Sequence, residues 1–277
     1  MLHARVLPGY PPEALKPAKS KLYAKLGRGT VPRELLDKLA PSLPRAAELR
    51  YRKWLAAFWH MWELAVRREL DFARADGLDT RADAGRKDLL GNFNLILEQS
   101  GYQQMLGMVA QDVKRSTTSY YERLFKQGVP APDTTSLVKD WRIENLQLIK
   151  NVGSEQVQQL NALFSKAQQT GQRHEELVQA VQERLGVGLS RAKLIARDQT
   201  TKFNSTVQLA QAKAAGIEEF IWSTSKDASV RASHKALEGR TFRYDNPPIV
   251  DHERALPGQP IQCRCQAIPK VTLFDGL

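Results

Sequence analysis

Glu219-Phe220-Ile221-Trp222-Ser223-Thr224 is where the character of this 277-residue chain changes. Upstream, apolar residues recur at helical spacing and no convincing strand can be read. Here a short run rich in aromatic and β-branched side chains, just after the helix-stopping Gly216, reads as a strand. Further on, residues 229–237 read as a short helix closed by Gly239, and Thr241-Phe242-Arg243-Tyr244 as a second strand. Pro247, Pro248, Pro257, Gly258 and Pro260 make an irregular loop, and Ile261-Gln262-Cys263-Arg264-Cys265-Gln266-Ala267-Ile268 reads as a third strand. The expected fold class is therefore mainly α: a helical N-terminal body with a small C-terminal α+β module.

Working back from that stretch, Ala192, Ile195, Ala196, Phe203, Val207, Ala210 and Ala214 line one face of a helix that Ser190 caps and Gly216 ends. Helices are expected before it over 174–185, ended by Gly186, and 155–170, ended by Gly171. Gly153-Ser154-Glu155 reads as a break and restart with Ser154 as N-cap. Trp141, Ile143, Leu146 and Ile149 mark another helix, opened by Asp133 or Thr134 after the breaking run Gln127-Gly128-Val129-Pro130-Ala131-Pro132. Two helical stretches, about 85–110 and 112–127, follow a turn at 76–82.

Tyr51, Trp54, Leu55, Phe58, Trp62 and Ala65 predict a long helix over 45–75. Its tryptophans Trp54, Trp59 and Trp62 lie on more than one face, as in a helix inside a bundle or against a partner. Residues 1–44 are proline-rich and basic and read as an extended arm with a short helix at 33–39. The expected domains are an arm (1–44), a helical domain (45–186) and a C-terminal module (187–277).

The chain is 42% hydrophobic, enough to bury a real core. Lys and Arg outnumber Asp and Glu by 41 to 30, a formal charge of +11. That balance favours contact with a polyanion, nucleic acid above all, or with an acidic protein surface. Lys16, Lys19, Lys21, Lys25 and Arg28 on the arm are the candidate DNA-binding residues, with a solvated tail as the alternative. No run of about 18 apolar residues is present, so no membrane span is expected, and the N-terminus has no apolar signal-peptide core. The chain's 2 cysteines sit two positions apart, which excludes a secreted disulfide scaffold and points to synthesis in a reducing cytoplasm.

Common enzyme signatures are missing: a Gly-rich phosphate loop, His-Glu-x-x-His, Gly-x-Ser-x-Gly. A paired Cys-x2-Cys finger is absent too. The acidic pairs Glu175-Glu176 and Glu218-Glu219 read as solvated ends of elements. The candidate chemistry is in the last sixty or so residues, in Asp227, Arg231, His234, His252, Cys263 and Cys265. In a strand, Cys263 and Cys265 project to one face, where two thiolates can share zinc with His234 and with Asp227 or His252. The alternatives are two small buried thiols packed as hydrophobes, or a strained disulfide between neighbours. Arg231 and His234, three apart on a helix, suit either a metal-independent nuclease or phosphodiesterase, or a structural bridge from Arg231 to a carboxylate such as Asp227.

Several short pieces recur in a fixed order: Ile195-Ala196-Arg197-Asp198-Gln199-Thr200, Gly216-Ile217, Trp222-Ser223-Thr224 and Asp227, then Val230-Arg231-Ala232-Ser233-His234, Leu237-Glu238-Gly239, Pro257-Gly258 and Cys263-Arg264-Cys265. In this order and spacing, residues 191–270 resemble the Mu F-like minor head protein family of tailed bacteriophages. Asp198-Gln199 departs from that family's Arg-Thr-Glu form. The resemblance marks Arg197, Trp222, Asp227, Arg231, His234, Gly239, Pro257, Gly258 and Arg264 as motif residues. It implies a low-copy virion component made in the host cytoplasm and placed in the head interior near the portal. It further implies partners among the portal protein, the major capsid protein and packaged double-stranded DNA, and roles in head assembly and in DNA packaging or ejection. Some relatives carry a toxin or transferase domain after the Cys-containing module; none is expected in the few residues beyond Cys265 here. Three functions are thus in competition: a structural head protein without enzyme activity, a nuclease using Arg231 and His234, and a zinc-stabilised interaction module with no DNA role.

Overall fold

The computed structural model describes residues 37–75, 88–125, 128–170 and 172–270. Lys16, Lys19, Lys21, Lys25, Arg28 and the turn expected at 76–82 lie outside the described residues. The fold is mainly α with a small C-terminal α+β part. Helices α1 (Arg45–Ala75), α2 (Leu89–Gln99), α3 (Tyr102–Phe125), α4 (Thr135–Thr170) and α5 (His174–Ala214) come first. Strand β1 (Glu219–Ser223), the one-turn helix α6 (Ala232–Lys235), β2 (Thr241–Arg243), β3 (Ile249–Val250), β4 (Glu253–Arg254) and β5 (Gln266–Lys270) follow. The chain groups into two compact units. A helical unit comprises Glu48–Val109 and Asp140–Arg197; a C-terminal unit comprises the chain up to Ala47, Ala110–Lys139 and the chain from Asp198 onward.

In the helical unit α1 is the buried spine, which is why its tryptophans spread over several faces. Tyr51, Leu55, Phe58, Trp59, Trp62 and Val66 are all buried. Phe93 of α2 stands edge-on to Phe58 at 5.2 Å and to Trp62 at 5.3 Å between ring centroids, the arrangement that aromatic quadrupoles favour. Several polar atoms carried into this core are paired: Tyr51 Oη donates to Asn145 Oδ1 (2.9 Å), Asn145 Nδ2 to the Trp141 carbonyl (2.7 Å), and Trp59 Nε1 to the Leu185 carbonyl (3.2 Å), whereas the buried Trp62 Nε1 has no hydrogen-bond partner among the described residues.

Several glycine-based breaks fall elsewhere than expected. The interruption placed near residue 111 lies at Ser100-Gly101, where Gly101 takes φ +69° and Ser100 bonds back to the Leu97 carbonyl. Conversely, α4 runs unbroken through Gly153-Ser154, and α5 runs through Gly186 and Ser190, past the expected domain boundary at 186/187. Ser190 caps nothing; its hydroxyl donates to the carbonyl of Gly186 one turn back. Gly153, and Gly188 further along α5, make room for neighbours. A Cβ on Gly153 would stand 2.2 Å from the Phe93 ring, and one on Gly188 would stand 2.7 Å from the Trp59 ring.

The C-terminal unit holds a three-stranded antiparallel sheet in the order β2-β1-β5, with Phe220 opposite Phe242 on one side and Trp222 opposite Ala267 on the other. Its core gathers Leu39, Tyr120, Tyr121, Leu124 and Phe125 with Ile217, Phe220, Ile221, Trp222 and Ile268. Against this, the part of α5 in this unit buries an unusual row of polar side chains. Asn204 Nδ2 and Gln208 Nε2 both donate to Gln266 Oε1 (3.3 and 3.2 Å), and Gln211 Nε2 donates to the Pro130 carbonyl (2.6 Å). The helix ends at Gly216 (φ +69°), as expected. The expected helix over 229–237 shrinks to Ala232–Lys235.

Two corrections bear on the site. The stretch expected as an irregular loop contains the β3–β4 hairpin, turned by Asp251 and His252 at φ +50° and +78°. The third strand begins only at Gln266. Cys263 and Cys265 lie in the turn before it, where Cys263 N–H bonds to the Pro260 carbonyl (3.0 Å) and Gln262 takes φ +56°.

Candidate functional site

His234 is placed by the single turn α6 and is only 2% exposed. Its Nδ1 lies 3.4 Å from Cys263 Sγ and 3.5 Å from Cys265 Sγ, and both cysteines are buried and free of disulfide. The cysteines therefore converge, through a tight turn and not through alternation along a strand. On the far side of the ring, His234 Nε2 is 3.1 Å from Asp251 Oδ2. A carboxylate at that position takes the ring proton on Nε2 and leaves the Nδ1 lone pair facing the sulfurs.

Asp251 is held from three sides. Ser233 Oγ donates to its Oδ1 (2.8 Å), and Arg231 Nη1 reaches its Oδ2 (3.0 Å). Hydrogen bonds from His234 and then Ser233 keep its carboxyl below the usual carboxylate range, with the charges of His234 and Arg231 adding to the effect. Arg231 Nη2 meanwhile donates to the Ile261 carbonyl (2.5 Å), tying α6 to the cysteine turn. Asp198 Oδ1 pins the same turn by accepting the Gln262 N–H (2.6 Å), and its other oxygen pairs with Lys202 (2.9 Å).

The sulfurs share a proton unevenly. Hydrogen bonding from Cys265 holds the Cys263 thiol down at about 6, with the N–H groups of Cys265 and Gly258 helping. Cys265 is pushed up by its bond to Cys263 and by burial.

The remaining motif residues build the housing. Trp222 is fully buried, edge-on to His234 at 5.8 Å, and its strand is closed by Gly239 (φ +72°), whose N–H bonds to the Trp222 carbonyl (2.8 Å). Pro257 and Gly258 are buried. Gly258 takes φ +87°, and a Cβ there would come within 3.3 to 3.4 Å of Thr201 and Ser205 on α5. Arg264 pairs with Asp227 (2.7 Å), which also accepts the Ser229 N–H (2.9 Å). Arg197 is half-buried on α5, within the helical unit.

Neither residue expected as a fourth metal ligand joins the cluster: Asp227 is engaged with Arg264, and His252 is exposed on the hairpin turn. Among the described residues, His234, Cys263 and Cys265 alone form a group able to hold a metal ion, their ligand atoms all within 4.8 Å of one another. The structural reading of Arg231 holds with Asp251 as the carboxylate in place of Asp227. A nuclease role fits poorly: His234 is enclosed with both ring nitrogens engaged, and Arg231 has both terminal nitrogens bonded within the chain. Asp251 and Asp198 were not singled out from sequence. The signal for Asp251 was there: Ile249-Val250 and Glu253-Arg254 flank two residue types that tolerate positive φ.

Residues 158–268 match the model of the family described as Phage Mu protein F like protein. The chain is 34% identical over 140 residues to an uncharacterized protein of Haemophilus influenzae, a match covering 50% of this chain and 30% of that protein's length. It is 22% identical over 232 residues to Minor head protein GP7 of Bacillus phage SPP1, covering 76% of this chain and 75% of the relative. No solved structure matches. With the motif residues from Trp222 to Cys265 assembled around one buried His–Cys–Cys cluster, residues 158–268 resemble the family described as Phage Mu protein F like protein.

Proposed function

We propose that the chain is a minor head protein of a tailed phage, seated inside the head near the portal and contributing to head assembly and to DNA packaging or ejection. One observation carries this reading: the alignment with Minor head protein GP7 extends over three quarters of both chains, beyond the Mu F-like module itself. The role is structural. The cluster that carries the module's motifs is sealed, and its polar atoms are used to hold loops together. The formal charge of +11 suits contact with packaged double-stranded DNA, and the portal and major capsid proteins are the partners that the position requires. No described helix is long and apolar enough to cross a membrane.

The test has two arms. Cross-linking of intact virions followed by mass spectrometry should join this chain to the portal protein; its absence from purified heads would overturn the reading. Duplex binding measured over a salt series should show a steep, sequence-independent salt dependence. Replacing Lys16, Lys19, Lys21, Lys25 and Arg28 by Gln should flatten the log–log slope by up to about 4 to 5 if each meets a phosphate. Side-chain replacement is preferable to deleting residues 1–44, because Leu39 is a core residue whose carbonyl accepts from Tyr120 Oη (2.8 Å). An unchanged slope would remove the arm from the DNA interface.

A further inference from the structure

We propose that His234 Nδ1, Cys263 Sγ and Cys265 Sγ bind one zinc ion, with Asp251 as the residue that orients the histidine. The spacing matches the metal. With zinc–sulfur and zinc–nitrogen bonds of about 2.3 and 2.0 to 2.1 Å, a tetrahedral ion separates N from S by roughly 3.6 Å. Nδ1 stands 3.4 and 3.5 Å from the two sulfurs, nearly equidistant, as one shared ion requires. A single S–H···N hydrogen bond would favour one sulfur over the other.

The surroundings point the same way. Metal-bound histidines donate their second ring N–H to a carboxylate. Here Nε2 faces Asp251 Oδ2 at 3.1 Å, and the Arg231 Nη1 lying 3.3 Å from Nε2 converges on that same oxygen at 3.0 Å. The Cys265 N–H points to Cys263 Sγ (3.4 Å), a donor suited to a metal-bound thiolate. Thiolate and imidazole ligands select zinc over magnesium or calcium.

A catalytic Cys–His–Asp reading would need one sulfur open to substrate, yet the sulfurs belong to residues only 5% and 3% exposed. The ion would join α6 to the cysteine turn, two elements that carry little core of their own. Loading releases the thiol protons to solvent as zinc takes both sulfurs as thiolates. The protein supplies three ligands from the described residues, so the fourth position belongs to water or to a group outside them.

The full-length protein, incubated with zinc chloride and desalted, should retain one zinc per chain by elemental analysis. Cobalt loading should give thiolate-to-metal charge-transfer absorption together with the visible bands of a tetrahedral site. C263S and C265S should each lose the charge-transfer intensity. D251N keeps all three ligands and should weaken zinc binding about 10- to 100-fold in chelator competition while still loading at saturation. Wild-type protein that retains no zinc and shows no cobalt charge-transfer band overturns the site, whether or not the cysteine variants fold. Unchanged zinc affinity in D251N overturns the role of Asp251.

Discussion

Gly186→Ala puts the continuity of α5 to a test of sign. If Gly186 ended a helix, its backbone would sit in the left-handed region and an alanine there would cost about 1 kcal/mol or more. In the structure it lies inside a 41-residue helix, exposed, without positive φ, and a Cβ added to it meets nothing within 4 Å. Alanine then gains the full difference in helix propensity, about 1 kcal/mol, or about 2 to 4 °C in midpoint for a protein of this size. Gly188→Ala, two residues on, serves as the contrast. Its Cβ would stand 2.7 Å from the Trp59 ring and 2.8 Å from the Gln156 side chain, both enclosed by packing. Overpacking of about 1 to 3 kcal/mol cancels or exceeds the propensity gain. Thermal melts followed by helical circular dichroism should therefore raise the midpoint for Gly186→Ala and leave it unchanged or lower for Gly188→Ala. A fall in midpoint for Gly186→Ala would mean that the helix stops there; equal gains for the two would refute the packing against Trp59.

Other outcomes follow from the same structure. Tyr51→Phe removes the hydrogen bond to the buried Asn145 Oδ1 and should cost about 1 kcal/mol in urea unfolding, whereas pairing it with Asn145→Leu should show a coupling of the two losses. Burial pushes the Tyr51 and Tyr244 phenols well above the ordinary range, so both should ionise late in alkaline difference spectra. The stability tied to keeping them neutral is intact below the ordinary phenol pKa and declines as pH rises beyond it. Asp133, whose carboxylate accepts the Thr135 N–H at the start of α4 (2.9 Å), is held below the usual range by hydrogen bonding from the Thr135 side chain and then by that N–H. Its contribution is present above the ordinary carboxylate pKa and lost as pH falls through the lower folded value; an NMR titration should show that midpoint, and Asp133→Asn should abolish the dependence.

Local signals were legible in the sequence where local physics decides. The span of α1 was readable end to end because its apolar and aromatic residues repeat over many turns. Gly216 was readable as a stop because its left-handed backbone terminates a helix by itself. Gly153 and Gly186 read as stops because a glycine inside a helix and one that ends it are the same letter; neither takes a left-handed backbone, and Gly153 makes room for the Phe93 ring. At the site, the His–Cys–Cys grouping was visible from residue type, but the strand geometry first used to bring the sulfurs together was not what does so. Asp251 stayed hidden because its contact with His234 spans 17 residues and depends on a two-residue hairpin. Asp198 stayed hidden because its partner is a backbone N–H 64 residues away.

The make-up of the C-terminal unit has a consequence for biosynthesis. Its core joins Leu39 and the Tyr120–Phe125 turn of α3 to strands that are translated last. On a ribosome adding roughly 5 to 20 residues per second, those early apolar faces wait on the order of ten seconds for Phe220, Trp222 and Ile268 to emerge. Until then they are open to other apolar surfaces, and the unit closes only once Ile268 has left the exit tunnel. Folding of this unit thus joins segments far apart in the chain, and its early apolar faces stay uncovered until Ile268 has been made.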